Sequence, residues 1–185
     1  MCRPDAWNLV CEFVQSDSLR KHMLAVEAAM RRYARRLGED EELWGVVGLV
    51  HDFDYELWPE PPDHTRQGAA ILRQRGVDEE IIGAMLSHAP WNRDEYPLDR
   101  PLRRTLSACD ELCGFLTACA LIRPTRLVGL TASSVRKKLK TPSFAANVSR
   151  QDVYDAAEWV GRPLEEHIEE CIAALADVAT DLGLA

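Results

Sequence analysis

From Leu43 to Val50 the chain reads Leu-Trp-Gly-Val-Val-Gly-Leu-Val, with no polar face, and it runs straight into His51-Asp52. A helix that is apolar all round has to be enclosed by other elements. This segment therefore sits at the centre of the fold, with an imidazole and a carboxylate at its end. A carboxylate there is costly unless it is paired, hydrogen-bonded or bound to a metal.

The surrounding sequence supplies enclosing helices. Leu19, His22, Met23, Val26, Met30, Tyr33 and Leu37 fall at three- and four-residue steps, the period of one helix face. Ser16, Asp17 or Ser18 can cap that helix and Gly38 ends it. Asp40 opens the apolar segment. Pro59, Pro61 and Pro62 mark a loop, after which Asp63 caps a third helix carrying His64, Gly68, Ile71 and Leu72. Asp78 opens a fourth, with Ile81, Ile82, Met85 and His88, stopped by Pro90. A long fifth helix runs from Leu102 to about Ile122. Residues 131–148 are mixed, and Ser149 to Asp152 resembles a capping box leading a helix to Gly161. The last helix runs from Leu164 to about Leu182. No alternating strand pattern occurs. The expectation is one all-α domain over residues 1–185, a bundle of seven to eight helices, with a core at about 19–122 and a C-terminal helical extension at about 125–185.

The net charge of −8 argues against a dedicated nucleic-acid or anionic-membrane binder. No run approaches the length of a membrane span, and the first residues carry no signal-peptide pattern, so a cytoplasmic location is expected. None of the six cysteines forms a Cys-x-x-Cys pair, and they are expected as free, mostly buried thiols. A homodimer is compatible with all of this.

His22, His51, Asp52, His64, His88 and Asp110 stand on successive helical segments, each near an apolar face. A lone histidine on such a face is more often a satisfied core residue than a ligand. Asp110 alone reads equally well as an exposed helix residue. As an ordered set they point to a divalent ion, because nitrogen and oxygen donors together suit one. Mn, Fe, Co, Ni, Zn and Mg are not distinguished, nor is one ion from two. His167, among Glu165, Glu166, Glu169 and Glu170, reads as a surface residue.

This arrangement resembles the HD-domain superfamily of metal-dependent hydrolases. The resemblance implies that His22, His51, Asp52 and Asp110 hold a first metal. It also implies that His64 and His88 hold a second, with Asp52 bridging. The chain reads His51-Asp52-Phe53-Asp54 where the common form is His-Asp-Ile-Gly. The stretches Asp110 to Phe115, Ala120 to Pro124, Ser134 to Lys140 and Phe144 to Val148 are similar to small stand-alone bacterial HD proteins held to be hydrolases of unsettled substrate.

The reaction so implied is hydrolysis of a phosphate ester, of a nucleotide or a small phosphomonoester, by a metal-activated water. Asp52 would orient the water. Asp54 and Glu56 would act as general acid or base, would anchor ligand histidines, or are solvated loop carboxylates. Arg66, Arg123, Lys137, Lys138 and Lys140 are the candidate cations for a small phosphorylated substrate, although a charge run is usually a solvated face. Trp58 and Trp91 would stack on a nucleobase or, the favoured reading, roof the core. The alternatives are a di-iron oxygenase on the same six ligands and a non-catalytic metal- or nucleotide-binding sensor module.

Overall fold

The computed structural model describes residues 1–185 and contains ten α-helices and no strand. Local sequence explains most of their ends. α1 (Arg3–Phe13) carries Pro4 in its first turn and buries Ala6, Leu9 and Val10. Ser16 caps α2 (Asp17–Leu37), its Oγ accepting the Leu19 N–H at 3.3 Å. Gly38 ends α2 at φ 73°, a left-handed conformation that favours glycine. Asp40 caps α3 (Glu41–Val50) by accepting the N–H groups of Glu42 and Leu43. α4 (Asp63–Gln74), α5 (Glu79–His88) and α6 (Pro101–Leu121) follow, with Asp78 capping α5. The C-terminal part holds α7 (Ala132–Leu139), α8 (Arg150–Trp159), α9 (Leu164–Asp177) and α10 (Ala179–Leu182).

α3 is the enclosed element, as its apolar run requires, with α1 and α2 packed along it and α5 beside its end. Gly48 allows α2 close in: a Cβ there would lie 2.9 Å from the Val26 carbonyl oxygen and 3.0 Å from the Glu27 backbone. α6 touches α2, α5, α8 and α9, so it joins the two halves of the chain. One apolar core runs from Ala6 to Leu184, and α8 and α9 share it with α2 and α6. No helix is long and apolar enough to cross a membrane.

Ten helices stand where seven to eight were expected. α1 was not read at all, the basic stretch folds as α7, and the last helix breaks at Val178 into α9 and α10. Asp63 does not cap α4. Pro62 precedes it, and the backbone leaves the helical region at His64 (ψ 135°) and Thr65 (φ 68°). His167 is buried, not exposed: Tyr33 Oη lies 2.6 Å from its Nδ1, and its Nε2 donates to the Ala108 carbonyl at 3.0 Å. All six cysteines are free; four are buried, Cys11 is half-buried and Cys2 is exposed.

Candidate metal centre

Five elements bring the six candidate ligands together. His22 projects from the middle of the first half of α2, and His51 and Asp52 follow directly on α3. His88 closes α5, and Asp110 lies midway along α6. His64 comes from the kinked start of α4. Thr65 at φ 68° is a conformation that a β-branched side chain rarely adopts. It is clamped there: Thr65 Oγ1 donates to the His64 carbonyl at 2.6 Å and accepts from Asn92 Nδ2 at 2.8 Å. The kink turns His64 inward.

The donors form two groups that share Asp52. In the first, His22 Nε2 lies 3.2 Å from His51 Nε2, 3.0 Å from Asp110 Oδ1 and 3.8 Å from Asp52 Oδ2. His51 Nε2 lies 3.5 Å from Asp52 Oδ2 and 3.4 Å from Asp110 Oδ1. In the second, the Nε2 atoms of His64 and His88 each lie 3.3 Å from Asp52 Oδ1. Both groups have the residue types and proximity that could hold an ion. Four donors at about 2.1 Å from one centre stand about 3.0–3.4 Å apart, close to the spacing of the first group.

The second partners of the rings agree with that fit. His51 Nδ1 donates to the Gly48 carbonyl at 2.7 Å, and His88 Nδ1 to the Met85 carbonyl at 2.5 Å. His64 Nδ1 lies 3.1 Å from Asp54 Oδ1. With Nδ1 carrying the proton, each Nε2 lone pair faces the shared centre, the usual outer-shell arrangement of metal-ligating histidines.

Without an ion the cluster is held by its own charges. Burial opposes a proton on His51, but the Asp52 and Asp110 carboxylates outweigh it and push the imidazole up to about 9. Burial likewise opposes a charged His64, and hydrogen bonds to Asp52 and Asp54 push it up to about 9. Burial would raise both aspartates, yet the charge of His51 and hydrogen bonds from the other rings hold Asp52 and Asp110 below the usual carboxylate range.

The groups open into a cavity of about 430 Å³. His22, Asp52, His64, His88 and Asp110 line one side, with His51 covered behind them. Tyr55 and Trp91 form a rim, their rings 5.0 and 5.9 Å from that of His64. Arg93, Ser107 and Glu111 also line it, and Asn147 and Asp152 come from the C-terminal part. Burial and the adjacent Asp110 charge push the Glu111 carboxyl up to about 7; it accepts the Ser149 N–H at 3.0 Å. That N–H is the one a complete capping box would have given to Asp152.

Other candidates lie elsewhere. Asp54 is fully buried behind His64 and accepts the Gly68 N–H at 2.8 Å. Glu56 turns to the start of α2, where its Oε2 accepts the N–H groups of Gln15 and Ser16 at 3.0 and 2.9 Å. Arg66 pairs with Glu95 at 3.0 Å on the surface, and Arg123 donates to the Arg126 and Val128 carbonyls. Lys138 Nζ sits 5.0 Å over the Phe144 ring, and Lys137 and Lys140 line a separate hollow with Arg136 and Glu165. None of these five cations lines the cavity, and Trp58 does not either. The residues that sequence reasoning passed over are Arg93, Ser107, Glu111, Asn147 and Asp152. Ser107, Asp110, Glu111 and Gly114 follow the i, i+3, i+4, i+7 spacing of one α6 face, so periodicity counted from Asp110 would have found two of them.

The HD domain family model matches residues 19–114, which contain all six candidate ligands. No curated protein and no solved structure matches the chain.

Proposed function

The chain belongs to the HD domain family, whose members are mostly metal-dependent hydrolases, and on that premise we propose that it hydrolyses a phosphate ester. The observation that carries the reading is the shared Asp52. One carboxylate oxygen faces the first donor group, the other faces the second, and both groups open on one cavity.

His22, His51, Asp52 and Asp110 would hold one divalent ion, and Asp52, His64 and His88 a second. Bound ions supply Lewis acidity toward a phosphoryl oxygen and a water that ionises near neutral pH. The chain's own residues do the rest. The Gly48 and Met85 carbonyls fix the His51 and His88 tautomers, and Asp54 fixes His64. Asp52 sets the spacing of the two groups and faces the cavity, where it orients the attacking water. Glu111, half-buried at the cavity wall beside Asp110, is placed to take or return a proton. Trp91 and Tyr55 narrow the mouth and exclude bulk water around the ester.

Metal analysis of natively purified protein, followed by a panel of phosphomonoesters, phosphodiesters and nucleotides on that sample, tests the reading. Metal-dependent release of phosphate, lost in Asp52→Ala, is expected; full metal content with no turnover across the panel argues for the sensor module instead. The donor set of four imidazoles and two carboxylates also suits iron. Oxygen consumption with substrate and a redox-dependent visible spectrum would favour the oxygenase.

A further inference from the structure

We propose that Arg93, with Ser107 lining the same cavity, is the receptor for the anionic group of the substrate, and that this substrate is a small phosphomonoester and not a polyphosphate. The inference rests on the phosphohydrolase reading and names the substrate class of that site.

Arg93 is the one arginine or lysine lining the cavity. Three contacts hold its guanidinium without cancelling its charge. Nε donates to the Ser87 carbonyl at 3.4 Å, Nη2 donates to the His88 carbonyl at 3.2 Å, and the group lies 5.0 Å over the Trp159 ring. No carboxylate comes within ion-pair distance, although most arginines of this acidic chain pair with one. Nη1 has no partner in the protein. A guanidinium already fixed on carbonyls and an aromatic face loses little freedom when it takes an oxyanion.

Ser107 provides an independent sign. It is 4% exposed, lines the cavity, and its Oγ has no hydrogen-bond partner. A buried hydroxyl left without a partner costs about 1–3 kcal/mol, so it calls for an explanation. Ser107 stands one turn before Asp110 on the same face of α6, about 5–6 Å away between Cβ atoms. Its unpartnered hydroxyl is thus the group left to serve a ligand that also touches the donor groups at Asp110.

Charge and size narrow the ligand. Against Arg93 the lining carries Asp52, Asp110, Glu111 and Asp152. Two divalent ions would offset those four carboxylates and leave Arg93 as a surplus of one positive charge, which goes most of the way to balancing the charge of about −1.5 to −2 on a single phosphoryl group and falls far short of a polyphosphate. A cavity of about 430 Å³ lies at the small end of ligand pockets, which span about 300–1,000 Å³, and the ions would occupy part of it.

The test is calorimetric titration of metal-loaded protein with inorganic phosphate, alongside p-nitrophenyl phosphate kinetics and metal content. Arg93→Gln is expected to weaken phosphate about tenfold to a hundredfold, through KM more than kcat, with metal content unchanged. Arg93→Lys should recover part of that loss. Ser107→Ala should weaken phosphate several-fold while Tm holds or rises, which a purely structural serine would not do. Equal phosphate affinity in wild type and both Arg93 variants overturns the inference but leaves the phosphohydrolase reading standing. So does loss of metal in both Arg93 variants, because Arg93 would then act by positioning His88. A polyphosphate that competes far better than phosphate overturns the substrate class. A loaded wild type that neither binds phosphate nor cleaves the ester instead sinks the phosphohydrolase reading itself.

Discussion

Asp54 holds His64 from behind: its Oδ1 lies 3.1 Å from His64 Nδ1, and its Oδ2 takes the Gly68 N–H at 2.8 Å. Both acceptors of a fully buried carboxylate are thus committed, one to a ring and one to the helix that carries it. In Asp54→Asn one of these two donors meets an NH₂ group. His64 then loses its fixed tautomer and orientation. Affinity for an ion at the second group should fall about 10–100-fold, while the first group keeps its own. Competitive metal titration against a chelator measures both, and an unchanged second equivalent would contradict the role given to Asp54.

Asp52 faces both groups, and His88 only one. Asp52→Ala should therefore remove all bound metal, and His88→Ala only part of it. The ratio of metal to protein after gel filtration, for wild type and each variant, decides the point. Equal losses in the two variants would mean a single ion, held by all six residues.

Removal of the metal should reverse the response of stability to pH. In the metal-free protein His51 and His64 are pushed from an ordinary 6.5 up to about 9. The folded state then binds protons more tightly than the unfolded one. Their contribution is complete below about pH 6.5 and is lost as pH rises through about 9. Asp52 and Asp110 act at the other end: held below the usual 3.8, they stabilise above it and lose that contribution as pH falls. A metal has to displace the imidazole protons, so its affinity climbs over the same interval in which the stripped protein weakens. Thermal melts of chelated and loaded protein from pH 6 to 9.5 would show diverging curves. A stripped protein whose Tm rises across that range would refute the charge assignment.

The six candidate donors were legible because each sits in, or directly after, a segment with a strong local helical period. Helix phase alone turned His22, His51, His88 and Asp110 inward. His64 was placed on the right element for an incomplete reason. An Asp63-capped helix would leave His64 in ordinary helical backbone, whereas the kink at Thr65 depends on Asn92, 27 positions along the chain. His167 shows how narrow the margin is: glutamates crowd its neighbours in sequence, but its own position faces Tyr33 and α6. Asn147 and Asp152 had no local signal, since they meet the cavity only through the packing of the C-terminal part on α6, and Arg93 had none because it stands in the irregular stretch after α5. Glu56 read as a carboxylate near the ligands, and only the folded loop shows it capping α2.

Two glycines separate the contributions of the donor groups without replacing a ligand. At Gly68 a Cβ would lie 2.8 Å from Asp54 Oδ2 and 3.0 Å from Phe53 Cε1, so Gly68→Ala has to push Asp54 off His64. At Gly48 the obstruction is backbone, at 2.9 Å from the Val26 carbonyl oxygen, and Gly48→Ala has to part α2 from α3. That opens the 3.2 Å approach of His22 to His51. Overpacking of this kind costs about 1–3 kcal/mol, and the Gly48 variant should lose more because backbone yields less than a side chain. Gly68→Ala should weaken the second metal equivalent, and Gly48→Ala the first. Urea melts give the stability order and metal titration the site order. If Gly48→Ala kept wild-type affinity for both equivalents, the α2–α3 contact would not be what sets the first group.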